Sequence, residues 1–170
     1  MIQKKYIKDR FGVSPMDFKK ITEEFQKYKG KKGNYQVSGA FDPKLTPENL
    51  KAGYKSFFCV TIHLKAPAME LGKNETGLPN PELTEKAFQN CGQIFETIHK
   101  VGKPIFFGYY FWFNEMNLLF YVNESDSNAI WNSLNPMLEE PKQGLNIVMS
   151  TRLDPEREEL QFFQKSNHDY

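Results

Sequence analysis

The chain has 170 residues and a formal net charge of +1, and its composition is 39% hydrophobic and 25% charged. This length predicts one domain, with a core large enough to need neither a metal nor a disulfide. The balance of basic and acidic residues disfavours nucleic acid and acidic membrane surfaces as partners. No apolar run reaches the roughly 18 residues that a membrane span requires.

The N-terminal sequence MIQKKYIKDRF lacks the apolar segment of a secretory signal. We therefore expect a cytoplasmic protein. The two cysteines, Cys59 and Cys91, lie in apolar runs, where a cysteine behaves as a small hydrophobic side chain. We expect both to be buried and reduced.

The first predicted element is a helix from Ser14 to Gly30. Ser14 can cap its start, and a proline follows at the first helical position. An apolar stripe at helical spacing comes next: Phe18, Ile21, Phe25 and Tyr28. A basic, glycine-rich loop and a short strand over 35–41 then complete an N-terminal extension, residues 1–52, which we expect to pack on the core.

The remainder, residues 53–170, has the order strand, helix, strand, strand, helix, strand. The four strands are predicted over 55–67, 104–113, 117–123 and 144–153. The helices are predicted over 81–100 and 125–139, and 154–166 adds a last helical turn or two. This order is that of the ferredoxin-like split βαβ fold, in which two helices cover one face of an antiparallel sheet. We therefore predict an α+β protein with a ferredoxin-like βαββαβ domain.

The segment PIFFGYYFWFN, residues 104–114, does not alternate as a half-buried strand should, because seven of its eleven residues are aromatic. A turn at Glu115 and Met116 would pair this strand with the next one. The pairs expected against the helices are Phe113 with Leu118, Phe111 with Phe120 and Tyr109 with Val122. The side chains expected on the opposite side of the sheet, the outer face, are Phe106, Tyr110, Trp112, Leu119 and Tyr121.

Something must cover this outer face, which we expect to lie at an edge of the sheet. One possibility is internal, with the predicted N-terminal helix packing over it. A second is a partner protein or a homodimer mate, since tyrosine and tryptophan are favoured at interfaces. The third is a small ligand held in a groove.

The sequence contains no nucleophile elbow, phosphate loop, metal-ligand spacing or dinucleotide fingerprint. His63 and Cys59 share a strand face but are about 13 Å apart at 3.3 Å per residue, too far to bind one metal. We therefore predict no catalytic residues, no metal and no cofactor. The alternative is a small enzyme or ligand-binding domain that uses the groove near His63.

Aromatic strands on a split βαβ sheet are also typical of RNA-recognition modules. The basic residue and glycine that lead the RNA-binding motif are missing here. Nucleic acid is therefore not the expected partner.

Three segments carry a resemblance to a known bacterial family: TGLPNPE before the central helix, the hairpin GYYFWFNEMNLLFYV, and the closing RLDPEREELQFF. The stretch from about Asn34 to Phe163 resembles the domain of unknown function numbered six-nine-five. The chain departs from that family at Arg157, where an aromatic residue often follows the Asp-Pro-Glu sequence. The predicted N-terminal helix is also additional.

That family looks like a relative of ferredoxin-like bacterial regulators such as the protein inhibitor of ribonuclease E. Immunity proteins, which neutralise a toxin by binding it, include small aromatic-rich domains of the same kind. The resemblance thus implies a non-catalytic protein-binding module, an immunity-type or regulatory inhibitor that binds a cognate toxin, nuclease or regulated enzyme.

Overall fold

The computed structural model describes residues 17–64, 78–139 and 146–166. Along these residues the elements are α1 (Phe18–Ile21), β1 (Gln26–Lys32), β2 (Tyr35–Phe41), β3 (Ser56–His63), α2 (Pro81–His99), β4 (Ile105–Trp112), β5 (Glu115–Val122), α3 (Glu124–Glu139), β6 (Asn146–Leu153) and α4 (Glu158–Ser166). The strands form one open sheet in the order β1-β2-β4-β5-β3-β6. Every neighbouring pair is antiparallel. The protein is therefore α+β.

From β2 onward, every predicted strand and helix is confirmed, with bounds that differ by a few residues. Helix α2 illustrates why local signals were sufficient there. The Asn80 side chain caps the helix by accepting a hydrogen bond from the Leu83 N–H at 2.8 Å, and Pro81 occupies the first turn. One stripe of the helix is buried: Ala87, Cys91, Ile94, Phe95 and Ile98.

The helix predicted from Ser14 to Gly30 is wrong. Ser14 lies outside the described residues, and only Phe18–Ile21 is helical. Residues 26–32 instead pair with β2 through a tight turn at Gly33, whose φ of 64° is a left-handed conformation that glycine adopts readily. The pairing of β1 with β2, and of β2 with β4, thus overrides the helical spacing of the apolar residues.

The position predicted for β4 at an edge of the sheet is also wrong. Strand β2 pairs with β4 from Val37–Trp112 to Phe41–Gly108, so β4 is an interior strand. The edges of the sheet are β1 and β6. The predicted division after residue 52 falls between β2 and β3, and the β2–β4 pairing continues the sheet across it.

The hairpin between β4 and β5 turns at Phe113 and Asn114, and not at Glu115 and Met116. Both turn residues have positive φ, 40° and 66°, as a two-residue hairpin turn of the primed type requires. The register therefore pairs Trp112 with Glu115. The predicted pairs of Phe113 with Leu118, Phe111 with Phe120 and Tyr109 with Val122 are replaced by Phe111 with Met116 and Tyr109 with Leu118.

An irregularity between Phe106 and Gly108 reverses which side chains face the helices at the start of β4. Phe106 consequently lies among the helix-side core residues, with its ring centroid 4.7 Å from that of Phe95. Phe107, fully buried, takes the place on the outer face that was predicted for Phe106.

Two apolar clusters lie on opposite sides of the sheet. The larger one joins α1, α2 and α3 to the sheet, and Phe18 packs there against Phe88 and Tyr109 at centroid distances of 5.0 and 5.1 Å. Of the N-terminal apolar stripe, Phe18, Ile21 and Phe25 therefore pack on the helix side of the sheet, whereas Tyr28 packs on the opposite side. The smaller cluster lies on the outer face: Leu50, Phe57, Cys59, Phe107, Leu119, Tyr121 and Leu160.

Candidate partner-binding site

Helix α4 covers part of the outer face. Its residue Leu160 is fully buried against the outer-face cluster, together with Leu50 from the connection between β2 and β3. Tyr121, at the centre of this covered area, has no exposed surface. The expectation that the N-terminal helix might cover the outer face is thus wrong, since the C-terminal helix and the β2–β3 connection do so.

Asp154 attaches α4 to the sheet. Its carboxylate accepts hydrogen bonds from the Tyr121 hydroxyl at 2.7 Å and from the N–H groups of Glu158 and Glu159 at 2.9 and 3.1 Å. Burial raises the pKa of the Asp154 carboxyl, but these hydrogen bonds outweigh it and hold the pKa below its ordinary value. Burial and the bond to Asp154 raise the pKa of Tyr121.

Arg157 strengthens the same attachment. This residue is buried and adopts a left-handed conformation with φ of 60°. Its guanidinium donates to the carbonyls of Pro155 at 2.8 Å and Lys51 at 3.3 Å, and it lies 5.9 Å from the centroid of the Tyr121 ring. The residue at which the chain departs from the resembled family thus links α4 to the β2–β3 connection.

Beside α4, the outer face opens into a groove of about 490 Å³, which we call the open groove. It runs across the strands from β1 to α4. Its walls are mostly apolar, with two lysines at one end, and the lining residues used below are Tyr28, Lys31, Lys32, Val37, Tyr110 and Asn117. Its volume lies within the range of natural binding pockets.

A polar group lies in the floor of the open groove. The Asn117 side-chain carbonyl accepts hydrogen bonds from the Thr61 hydroxyl at 2.7 Å and from the Cys59 thiol at 3.8 Å. Its side-chain N–H₂ group is buried without a hydrogen-bond partner among the described residues. Burial raises the pKa of the Cys59 thiol to about 11, so this cysteine is a protonated, unreactive part of the floor.

Trp112 holds the N-terminal hairpin against the sheet. Its indole N–H donates to the Lys32 carbonyl at 3.0 Å, and the Lys32 ammonium lies 4.6 Å from the centroid of its ring. Tyr110, two residues before Trp112 on the same face of β4, is half-buried, and burial raises the pKa of its hydroxyl. Trp112 is therefore held in one position on the outer face by its contacts with Lys32.

The structure separates the five predicted site residues. Tyr110 and Trp112 lie half-buried at the uncovered part of the outer face. Leu119 is only 2% exposed in the floor, and Tyr121 is fully buried under α4, so neither can present a free surface. Phe106 lies on the other side of the sheet.

Sequence reasoning missed the contribution of β1 to this site. Tyr28, Lys31 and Lys32 were assigned to a helix and a loop, so nothing placed them beside Tyr110. Asn117 gave a usable signal, because a buried strand seldom contains a polar side chain without a specific partner.

The alternative site near His63 pairs this residue with Glu115. The His63 imidazole lies 3.6 Å from the Glu115 carboxylate, its neighbour across the β3–β5 ladder, and both side chains are partly exposed.

No cluster of three or more potential metal ligands occurs in residues 17–64, 78–139 and 146–166. Both cysteines are buried and unpaired, as predicted.

Comparison with protein-family models, curated proteins and solved structures finds no match. The resemblance to family six-nine-five therefore stays a prediction. Within the described part of the chain, no helix is both long enough and apolar enough to cross a bilayer.

Proposed function

We propose that the protein is a non-catalytic binding module, an immunity-type or regulatory inhibitor, that binds another protein at the open groove. The observation that carries this proposal is the half-buried state of Tyr110, which lines the open groove, and of Trp112 beside it, on a face where Phe57, Phe107 and Tyr121 are buried. An aromatic surface that the described residues leave partly uncovered is characteristic of an interaction site.

The fixed position of Trp112 supports this role. Its hydrogen bond to Lys32 and the overlying ammonium restrict its rotamer before any partner arrives. A side chain that is already ordered loses little conformational entropy on binding, so more of its contact energy is retained in the complex. Aromatic anchors of this kind commonly dominate the energy of an interface.

The fold analogy gives weaker support. We infer that β3, α2, β4, β5, α3 and β6 constitute a ferredoxin-like unit, to which the β1–β2 hairpin is added at β4. The consecutive positions of β4, β5, β3 and β6 in the sheet support this inference. It agrees with the resemblance to ferredoxin-like regulators, although function follows from the site and not from the fold.

The test begins with affinity capture from the native cell and continues with calorimetry on the purified pair. We expect Tyr110→Ala to weaken binding by about 2 kcal/mol or more, roughly thirtyfold, as interface aromatics do. This variant leaves the bond between Trp112 and Lys32 in place. Trp112→Ala, which also removes that bond, should weaken binding at least as much.

A matched control is Val101→Ala, because Val101 is 42% exposed and lies just after α2, outside the open groove. It should bind like the wild type. If Tyr110→Ala has wild-type circular dichroism and wild-type affinity for the captured partner, the proposed surface is wrong.

A further inference from the structure

Strand β1 is an exposed edge with an unusual charge. Four of its seven residues are lysines, Lys27, Lys29, Lys31 and Lys32, and all four are exposed. None of the four has a carboxylate partner among the residues that the structure describes, whereas Lys19, Lys44, Lys86 and Lys100 each lie within 4 Å of a glutamate. The charge of β1 is therefore not neutralised by neighbouring described residues.

The edge of β1 has two distinct faces. Successive side chains point to opposite sides, so Lys27, Lys29 and Lys31 form a row that faces the helix side of the sheet, and Lys31, at the end of the row, also borders the open groove. Gly30 and Lys32 lie on the outer face. Among the described residues, β1 pairs with β2 alone, and alternate backbone N–H and C=O groups on its other edge point away from the sheet.

The lysine row selects what can pair with this edge. A second copy of β1 would place lysine opposite lysine, which is unfavourable, and edge lysines commonly prevent such self-association. A strand with acidic residues at alternate positions would instead place a carboxylate opposite each lysine. The same row that excludes self-pairing thus favours an acidic strand.

We propose that β1 is a docking edge for an extended, acidic segment of the partner protein, which adds to the sheet as a seventh, antiparallel strand. This inference rests on the proposed function and names the chemistry of the partner. Main-chain hydrogen bonds along the edge provide the pairing, and the lysine row provides the selectivity.

Gly30 defines one further feature of the segment. It lies opposite Val37, which in turn lies opposite Trp112, so these residues form one line across the outer face. Because glycine has no side chain, a residue paired with Gly30 can extend a large apolar side chain towards Val37. The segment therefore carries an aromatic or large aliphatic residue between two acidic ones.

The probe is a labelled seven-residue peptide with glutamate at its second, fourth and sixth positions, phenylalanine at its third and threonine elsewhere. Binding to the full chain is measured by fluorescence anisotropy at low ionic strength, and amide hydrogen exchange reports on β1. We expect saturable binding and slower exchange of the β1 amides. The triple variant Lys27→Glu, Lys29→Glu, Lys31→Glu should bind at least about tenfold more weakly, because three charge pairs become repulsive.

The matched control carries Lys51→Glu, Lys55→Glu and Lys103→Glu, the same change in charge on exposed residues away from β1. It should lose far less affinity. A second probe has the same side chains but N-methyl groups along its pairing edge, which prevent backbone hydrogen bonds, and it should not bind. If the charge-reversed variant fails to fold, Lys27→Gln, Lys29→Gln, Lys31→Gln replaces it.

Equal affinity for the two probes would overturn the proposal, because attraction of charges alone would then explain binding. Stronger binding of a labelled oligouridylate than of the peptide, lost in the β1 variant, would overturn it in favour of RNA. The two proposals fail separately. If the peptide does not bind, the docking edge is wrong, and the effect of Tyr110→Ala on partner affinity is unaffected. If Tyr110→Ala binds the partner like the wild type, the open groove is wrong as the binding surface, and peptide binding at β1 is unaffected.

Discussion

Tyr121→Phe tests the attachment of α4 to the sheet. The substitution keeps the buried ring and removes a hydroxyl that donates to Asp154 at 2.7 Å and accepts from the Leu160 N–H at 3.3 Å. A hydrogen bond to a charged group contributes roughly 1.5–3 kcal/mol, and a neutral one about 1. Since Asp154 keeps its two backbone donors, we expect a loss of about 2 kcal/mol of unfolding free energy.

The assay is denaturant unfolding, supported by thermal melting, in which the midpoint should fall by about 4–8 °C for a chain of this size. The matched control is Tyr109→Phe, because Tyr109 is also in the core, at 9% exposure, but its hydroxyl bonds to no described residue. Its stability should change by less than about 0.5 kcal/mol.

The dependence on pH sharpens this prediction. The pKa of Asp154 is lowered in the folded state. The ionised carboxylate therefore adds to the free energy of unfolding above the unfolded pKa of about 4, and this stabilisation is lost as the pH falls through the folded pKa. The difference between the wild type and Tyr121→Phe should therefore be largest near neutral pH and shrink below pH ~4. If Tyr121→Phe is as stable as Tyr109→Phe at pH 7, the reasoning about α4 is refuted.

Three other predictions concern the hairpins and the thiols. Asn114→Gly should raise the unfolding free energy by about 0.5 kcal/mol, since glycine suits the positive φ and the change removes a buried acceptor without a described partner; a lower melting temperature would contradict this. Gly39→Ala should lower the unfolding free energy by about 3 kcal/mol, because the new Cβ would clash with the Tyr109 backbone carbonyl oxygen; a wild-type denaturation curve would contradict it. Cys59 and Cys91, whose pKa values burial raises, should resist iodoacetamide at pH 7.5 until the protein is unfolded, as followed by mass spectrometry, and fast native alkylation would count against their burial.

Local chemistry was sufficient to predict most of the elements. The Asn80 cap, the proline after it and the apolar stripe define α2 within the helix itself. The β-branched and aromatic residues of β3 likewise predict a strand, because a strand buried on both faces needs apolar side chains at every position. These signals require only residues near in sequence.

The open groove could not be predicted in the same way. Tyr110 in the groove and Trp112 beside it are visible in the sequence as part of an excess of aromatic residues, but nothing local shows which of these residues α4 covers. The register shift between Phe106 and Gly108 places Phe106 on the face opposite to the predicted one. The turn at Phe113 and Asn114 gives Tyr109 and Phe111 partners on β5 that differ from those predicted. A register depends on the competition between whole pairings, which a pattern along one strand does not contain.

By itself, the sequence determined that this chain is an α+β protein in which the strand over residues 104–113 has apolar side chains on both faces. Only the tertiary structure decided that β1 is a strand, that β4 is interior, and that Asp154 and Arg157 hold α4 over Tyr121. The physical reason is distance along the chain: helical and strand propensities act over a few residues. The contacts that select between competing pairings join residues such as Lys32 and Trp112, which are 80 positions apart.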